Sequence, residues 1–331
     1  MTTRLFGERV QRVEDAALLT GTAHFLDDLG HGSLAAAFLR SPHAHARIAD
    51  VDVTDALDIE GLVAVWTWED LAEADAAEGT HVSEALPLLI PHPCLTAPRT
   101  GYPLARNEVN HVGEAIVMVV ARDRYLAEDA VARIVVTYDV LPPVVGIDNA
   151  RRADRAVHDD VPDNVSAHLV QEVGDVEAAM ARAPHTLTLH LDIERSASMP
   201  LEGKGVHARW DAADGSLRVH TSTQTSTSVR AAVAARLALP PGKVECVAPM
   251  VGGGFGVKIV HPWPEEVLVP WAARRLDREV AWVEDRREHF VSSAHERGQL
   301  QEVTVGFDDD GLLMALDVRF WTTTVLTRRT A

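Results

Sequence analysis

The stretch Gly-Gly-Gly-Phe-Gly-Val-Lys at residues 252–258 follows a mostly apolar run at residues 244–251. Three adjacent glycines carry no Cβ atoms, so their backbone can adopt positive φ angles or approach a bulky ligand closely. Phe255 adds one aromatic ring where the backbone is most open. A glycine-rich turn after a strand is typical of sites where backbone amides bind an anionic cofactor, and equally of a plain tight turn. The rest of the chain must decide between these interpretations.

Composition narrows the class of protein. The 331 residues allow about two domains, 47% of them are hydrophobic, and the formal net charge is −18. No run of Lys and Arg is long enough to follow a phosphate backbone, so we expect no nucleic-acid partner. We find neither the roughly 18–20 apolar residues of a membrane span nor the apolar core of a signal peptide. We therefore expect a cytoplasmic protein.

The cysteines and histidines offer little for a protein-held cofactor. Cys94 and Cys246 are the only cysteines, whereas an iron–sulfur cluster takes about four thiolates. His43 and His45 could share a strand face but lack a third ligand nearby, so we predict no metal ligands. No Gly-x-Gly-x-x-Gly follows a first strand, which argues against NAD or FAD binding by this chain.

The hydrophobic pattern predicts an α+β (mixed α/β) fold. An apolar strand at residues 115–120 precedes a helix at residues 124–133 capped by Asp123. Alternating Thr and Leu predict a half-buried strand at residues 186–193. Residues 21–29 suggest a strand and a turn.

Short motifs occur in a fixed order through nearly the whole chain. They are Arg-Val-Glu-Asp (12–15), Leu-Thr-Gly-Thr-Ala-His-Phe-Leu-Asp-Asp (19–28), Leu-Arg-Ser-Pro-His-Ala-His-Ala-Arg-Ile (39–48), Val-Gly-Glu-Ala-Ile (112–116), Ala-Glu-Asp-Ala (127–130), Pro-Leu-Glu (200–202), Ser-Thr-Gln (222–224) and the glycine turn (252–258). In order and spacing the chain resembles the molybdenum hydroxylases, the family of xanthine dehydrogenase, aldehyde oxidase and aerobic carbon-monoxide dehydrogenase. The resemblance is to their molybdopterin-binding large subunit.

The resemblance implies a hammerhead-type α/β domain followed by a truncated molybdopterin-binding α/β domain. The expected divisions are an N-terminal arm (1–19), the hammerhead domain (20–145), a linker (146–165), an incomplete first molybdopterin-binding domain (166–321) and a tail (322–331).

The resemblance also implies the site. Gly253, Gly254 and Gly256 would bring backbone to the cofactor, with Phe255 walling the pocket beside the metal and Gln224 approaching the cofactor. The pterin would hold the metal through its own sulfurs, so the protein supplies amides and shape.

Other residues bear on the substrate. Ile259 and Ser196 occupy places where purine-oxidising members carry Glu and Gln, so we do not expect xanthine as the substrate. Arg297 is a further candidate for the substrate pocket. We expect an apolar wall suited to an aldehyde, an N-heterocycle or a small carbon-monoxide-like substrate.

For the intact enzyme, the resemblance implies a molybdenum-dependent oxidoreductase that inserts water-derived oxygen into a C–H bond. Its cofactor would be molybdopterin or molybdopterin cytosine dinucleotide. An iron–sulfur small subunit would carry the [2Fe-2S] clusters, a medium subunit would carry FAD, and large subunits would form homodimers. The family's catalytic base lies beyond this C-terminus, so we assign no catalytic residue, interpret Glu202 as structural and expect the chain alone to be inactive.

The last ten residues depart from the family pattern. The family continues into Asp-x-Gly-Ala-Tyr, whereas residues 322–331 read Thr-Thr-Thr-Val-Leu-Thr-Arg-Arg-Thr-Ala. Loss of one base from a family-like gene would give this tail, so we interpret it as out of frame. The alternative to a truncated enzyme subunit is a non-catalytic scaffold or assembly module, or a pseudogene product.

Overall fold

The computed structural model describes residues 6–30, 32–88, 91–259 and 262–323. The first half of the chain forms α1 (Asp15–Thr20), β1 (Leu34–Arg40), β2 (Ala46–Asp52), α2 (Thr54–Leu57), β3 (Leu62–Trp66), α3 (Trp68–Glu78), β4 (Glu108–Val109), β5 (Ala115–Ala121), α4 (Arg124–Arg133), β6 (Val135–Val140) and α5 (Ile147–Arg152). The second half forms α6 (Val176–Arg182), β7 (His185–Ser196), β8 (Gly205–Asp211), β9 (Ser216–Thr221), α7 (Ser226–Arg236), β10 (Val244–Val247), α8 (Pro264–Leu276), β11 (Val280–Val283), α9 (Arg286–Ser292), β12 (Glu296–Phe307) and β13 (Leu313–Thr322).

These elements confirm the mixed α/β class. The Asp123 carboxylate accepts a hydrogen bond from the Leu126 amide and caps α4, as predicted. The prediction of a strand within residues 21–29 was wrong, because Leu26–Leu29 forms a 3₁₀ turn whose Asp28 carboxylate accepts from the Phe25 amide. No helix in the described ranges is both long and apolar enough to span a bilayer.

One seven-stranded sheet runs through both halves of the sequence, in the order β10-β9-β8-β11-β1-β5-β3. The halves meet where β1 pairs in parallel with β11, Leu34 lying opposite Val280. Trp66 of β3 contacts Trp271 of α8 edge to face, with ring centroids 4.7 Å apart. The division into a hammerhead and a cofactor domain remains a prediction, and the sheet contains strands from both sides of it.

A buried ion pair cluster joins β1 to the helices of the second half. The Arg40 guanidinium donates to Glu265 at 2.6 Å and to Glu288 at 2.7 Å. Burial alone would lower the pKa of Arg40. The Glu288 and Glu265 carboxylates outweigh this effect, so the pKa of Arg40 lies above its ordinary value. Glu288 therefore lies largely buried against Arg40, although it stands in a charged stretch of the sequence.

Gly113 brings a loop of the first half against α9. Its φ angle is +90°, and a Cβ atom built there would lie 1.9 Å from the Val291 carbonyl oxygen. A side chain at residue 113 would therefore both strain the backbone and push α9 away.

We expect Gly113→Ala to lower the free energy of unfolding by about 3 kcal/mol, since backbone strain and overpacking add. Gly311→Ala is the matched control, because its φ is +81° with nothing within 4 Å of an added Cβ, and it should cost only about 1 kcal/mol. Urea denaturation measures both. Equal losses in the two variants would contradict the close packing of Gly113 against α9.

A second sheet, ordered β13-β12-β7, has an uncovered apolar face. Cross-strand pairs in this sheet share a face, so alternate residues of the three strands line up on one side. The exposed members are Leu187, Leu189, Leu191, Leu316, Val318 and Phe320. The prediction that residues 186–193 are half-buried was wrong, because their leucines face solvent.

We expect the chain to self-associate through this face as its concentration rises, since contiguous exposed apolar surface drives association. Leu189→Lys, on the apolar face, should weaken the association about tenfold. His190→Lys lies on the opposite face and should leave it unchanged. Sedimentation velocity over a concentration series compares the three proteins, and equal effects of the two lysines would show that another surface associates.

Candidate functional site

The glycine turn lies after β10 and has an unusual backbone. The φ angles are +103° at Gly253, +49° at Phe255 and +85° at Gly256. Positive φ is routine for glycine and uncommon for a residue such as Phe. Phe255 is 69% exposed, and its ring lies beside Gly253, where an added Cβ atom would stand 2.9 Å from Phe255 Cε2. The turn thus holds an aromatic ring at the surface.

At Gly252 and Gly254, other chain segments approach so closely that a side chain would not fit. A Cβ atom at Gly252 would lie 2.6 Å from Cβ of Glu202, and one at Gly254 would lie 2.6 Å from the Gln224 side chain. A Cβ atom at Gly256 would meet nothing within 4 Å. Of the glycines predicted to bind the cofactor, Gly256 therefore faces open space.

Gln224, the remaining candidate for cofactor binding, braces the turn. Its side-chain oxygen accepts from the amides of Gly256 at 3.1 Å and Lys258 at 3.3 Å. The backbone N–H of Gln224 donates to the Lys258 carbonyl at 3.0 Å. The structure thus brings Gln224 and the turn together, and contact of Gln224 with a cofactor remains a prediction.

A buried ion pair between Lys258 and Glu202 holds both ends of the same turn. Lys258 Nζ lies 3.0 Å from Oε2 of Glu202 and 2.6 Å from Oγ of Ser222. The same carboxylate oxygen accepts from the Gly252 amide at 2.7 Å and from the Ser222 hydroxyl at 2.6 Å. We call Glu202, Ser222 and Lys258 the turn anchor. Glu202 thus has the structural role expected of it.

The anchor stabilises a fully buried ammonium group. Burial lowers the pKa of Lys258, and the Glu202 carboxylate acts in the opposite direction. Removing one partner of such a pair leaves the other charge buried and alone, which is costly. The anchor is therefore a rigid base beneath the turn.

The carbonyl side of Phe255 is held by a separate chain of hydrogen bonds. The Ser198 hydroxyl donates to the Phe255 carbonyl at 3.0 Å. His289 Nε2 lies 2.9 Å from the Ser198 carbonyl oxygen, and Nδ1 lies 2.8 Å from the Glu284 carboxylate. Sequence reasoning missed Ser198, Glu284 and His289 in this role, because residues from separate segments give no local motif.

Glu284 is the acidic end of this chain. It lies 3.0 Å from Lys204 Nζ and accepts from the Lys204 amide and the Ser292 hydroxyl, each at 2.9 Å. Burial alone would raise the pKa of Glu284, but the Lys204 charge and the His289 hydrogen bond hold it far below its ordinary value.

The candidate substrate residues fall into two places. Ile259 follows the turn, is partly exposed, and donates its amide to the Gly256 carbonyl at 3.3 Å. Ser196 and Arg297 lie together where β7 ends and β12 begins. The Ser196 hydroxyl donates to Glu296 at 2.9 Å, and Arg297 pairs across the strands with Arg195. Their part in a substrate pocket remains a prediction.

The turn suits a bulky ligand that brings its own metal ligands. It offers an exposed aromatic ring and open space beside Gly256, on a base that Gln224 and the anchor hold still. Among the residues that the structure describes, no group of three His, Cys, Asp or Glu could hold a metal ion. A cofactor that ligates its metal through its own atoms fits this arrangement.

Comparison with known proteins gives the class. Residues 157–328 match the molybdopterin cofactor-binding domain, and residues 20–142 match the a/b hammerhead domain of aldehyde oxidase and xanthine dehydrogenase. The chain belongs to the molybdenum hydroxylase family and corresponds to part of its large subunit.

Individual relatives agree. The nicotine 6-hydroxylase large subunit of Paenarthrobacter nicotinovorans is 33% identical over 94% of this chain and 37% of that protein. The carbon monoxide dehydrogenase large chain of Hydrogenophaga pseudoflava is 32% identical over 92% of this chain and 38% of that protein. The crystal structure of quinoline 2-oxidoreductase from Pseudomonas putida 86 superposes with a TM-score of 0.83 at 34% identity, covering 95% of this chain and 39% of that one. The chain thus spans well under half the length of these relatives.

We expect Glu284→Gln to weaken the acid dependence of stability. The pKa of Glu284 is lower in the folded chain than its ordinary value of 4.5, so its stabilisation is present above about pH 4.5 and is lost as the pH falls below it. The free energy of unfolding of the variant at pH 7 should be about 3–5 kcal/mol lower than that of the unchanged chain, because Lys204 stays buried without its partner. On acidification, the free energy of unfolding should fall less in the variant than in the unchanged chain.

Urea denaturation between pH 7 and pH 3 measures this. Glu172→Gln, at an exposed carboxylate, is the control and should keep the slope of the unchanged chain. A full acid slope in Glu284→Gln would contradict the assignment.

Proposed function

We propose that this chain is the N-terminal part of the molybdopterin-binding subunit of a molybdenum hydroxylase. The observation that carries the proposal is the glycine turn, where open backbone at Gly256 adjoins the exposed ring of Phe255 on a rigid base. The bound cofactor would supply the redox chemistry that places water-derived oxygen on a substrate C–H carbon. The chain's own residues shape and position that site.

Each residue of the turn has a distinct part in this proposal. Gly253 and Gly256 provide the positive φ angles that expose the backbone. Gln224 holds the amides of Gly256 and Lys258, so the turn is formed before a ligand arrives. Such preorganisation lowers the cost of ordering the site on binding.

For the substrate we propose a neutral aromatic N-heterocycle. Phe255 and Ile259 present apolar surface, where purine-oxidising members carry a charged Glu in the place of Ile259. A flat aromatic substrate stacks well on an aromatic ring. The names of two relatives, nicotine 6-hydroxylase and quinoline 2-oxidoreductase, support this class.

The remaining parts of the enzyme are proposed from the family. They are a cofactor in the molybdopterin or molybdopterin cytosine dinucleotide form, [2Fe-2S] clusters on a small subunit, FAD on a medium subunit and a homodimer of large subunits in the cytoplasm. The multi-subunit complexes named among the relatives support such partners. We propose that the chain alone has no turnover, since it spans only 37–38% of the length of the relatives that it matches.

The test is a chimera in which this chain replaces the matched segment of the nicotine 6-hydroxylase large subunit, produced with that enzyme's partner subunits. We expect the purified complex to contain molybdenum and to oxidise an N-heterocycle. Phe255→Ala should raise KM about tenfold with a smaller change in kcat, because it removes apolar contact with bound substrate.

Gly242→Ala is the control, since an added Cβ there meets nothing within 4 Å and the residue lies away from the turn. It should behave as the unchanged chimera does. A complex that holds molybdenum but oxidises no N-heterocycle would overturn the substrate class. A complex that assembles without molybdenum would favour the non-catalytic scaffold.

A further inference from the structure

We propose that His289 is a positioning residue that sets the place of Phe255 by holding Ser198 from behind. The proposal rests on the proposed function for the role of Phe255 as a substrate wall. His289 does not touch Phe255. It acts through the carbonyl of Ser198, whose hydroxyl in turn holds the carbonyl of Phe255.

The hydrogen-bonding chemistry of the ring fixes its orientation. Nδ1 faces the Glu284 carboxylate and Nε2 faces a backbone carbonyl, and both groups only accept hydrogen bonds. The Ser198 carbonyl oxygen can only accept, so Nε2 donates to it. The Ser293 hydroxyl lies 3.0 Å from Nδ1 and 3.2 Å from the Glu284 carboxylate. The ring is thus held at both nitrogens, and Nε2 is the atom that leads to Ser198.

Burial makes this arrangement rigid. His289 is 1% exposed and Glu284 is 4% exposed. Charged hydrogen bonds away from water are shorter and stronger than neutral ones. A fixed ring in turn fixes the Ser198 peptide, which lies between the end of β7 and the glycine turn.

The same helix grips the neighbouring peptides. Arg286, at the start of α9, donates to the Pro200 carbonyl at 2.7 Å and to the Leu201 carbonyl at 2.9 Å. Pro200 in turn lies against the turn, 3.1 Å from where a Cβ of Gly253 would stand. Helix α9 therefore supports the segment under Phe255 at two points, and His289 supplies the contact that leads to Phe255 itself.

Phe255 needs such a support. Its positive φ angle is one that an L-residue keeps only when the surroundings hold it there. The Ser198 hydroxyl donates a hydrogen bond to the carbonyl oxygen of Phe255. Releasing Ser198 should let the Phe255 peptide relax, moving the aromatic wall while the anchor beneath remains in place.

Two substitutions at residue 289 separate positioning from simple packing. In His289→Gln the side-chain amide nitrogen reaches about the position of Nε2 and can still donate to Ser198. In His289→Asn it reaches about the position of Nδ1 and can donate only to Glu284. Both replace an aromatic ring by an amide, and because Asn is one methylene shorter than Gln, the amides of α8 report any difference in packing.

Hydrogen exchange of the full chain, without cofactor, reads the result. We expect the amides of Gly256 and Val257, which are hydrogen-bonded in the turn, to exchange about tenfold faster in His289→Asn. In His289→Gln they should stay close to the unchanged chain. Ser198→Ala should repeat the effect of Asn, and Ser198→Thr, which keeps the hydroxyl, should not. The amides of α8 serve as the internal control.

Equal acceleration in the Gln and Asn variants, with α8 also loosened, would reduce His289 to a packing residue and overturn the proposal. Unchanged exchange in Ser198→Ala would overturn it as well. Neither result depends on loading molybdenum or on turnover, so the proposal can fail while the proposed function stands, and the reverse.

Discussion

The parallel pairing of β1 with β11 is the constraint on which the rest of the structure depends. It joins a strand near the start of the chain to one that lies beyond the glycine turn, and so makes one sheet from two sequence regions. Parallel strands need long connections, and here the connection contains the turn, Gln224 and the turn anchor. Gly113 and Arg40 then lock the first region against α9 and α8. The position of the turn is therefore tied to the packing of the whole chain.

Three buried cations near this junction each lie against a carboxylate. Lys258 meets Glu202, Lys204 meets Glu284, and Arg40 meets two carboxylates. Buried pairs are weak evidence for added stability but are costly to break, so they favour one arrangement over its alternatives. A site that must hold a large cofactor benefits from a base with one arrangement, since a loose turn would lose affinity to ordering. The charges thus serve the geometry of the site more than the stability of the fold.

Sequence reasoning predicted local structure well, because local structure depends on local patterns. The α4 helix with its Asp123 cap and the glycine turn after β10 follow from spacing and residue type. It failed where burial depends on distant partners. The leucines of β7 alternate as a half-buried strand should, yet nothing in the described chain covers them. Glu288 lies in a charged stretch, and only the fold reveals that Arg40 reaches it.

The same limit applies to the candidate site. The glycines and Phe255 were identified by family motifs, while His289, Glu284 and Ser198 were not, because their contacts join segments far apart in the chain.

The sheet of β7, β12 and β13 has a consequence for how the chain is made. Thr188 of β7 and Thr304 of β12 touch across the sheet, yet 116 positions separate them in the chain. Synthesis of a stretch that long takes on the order of 10 s. During that time β7 is complete but has no partner, and its alternating threonines and leucines form the kind of open strand that pairs with other chains. Newly made copies therefore pass through an interval in which β12, the strand that pairs with β7 in the native fold, has not yet been made.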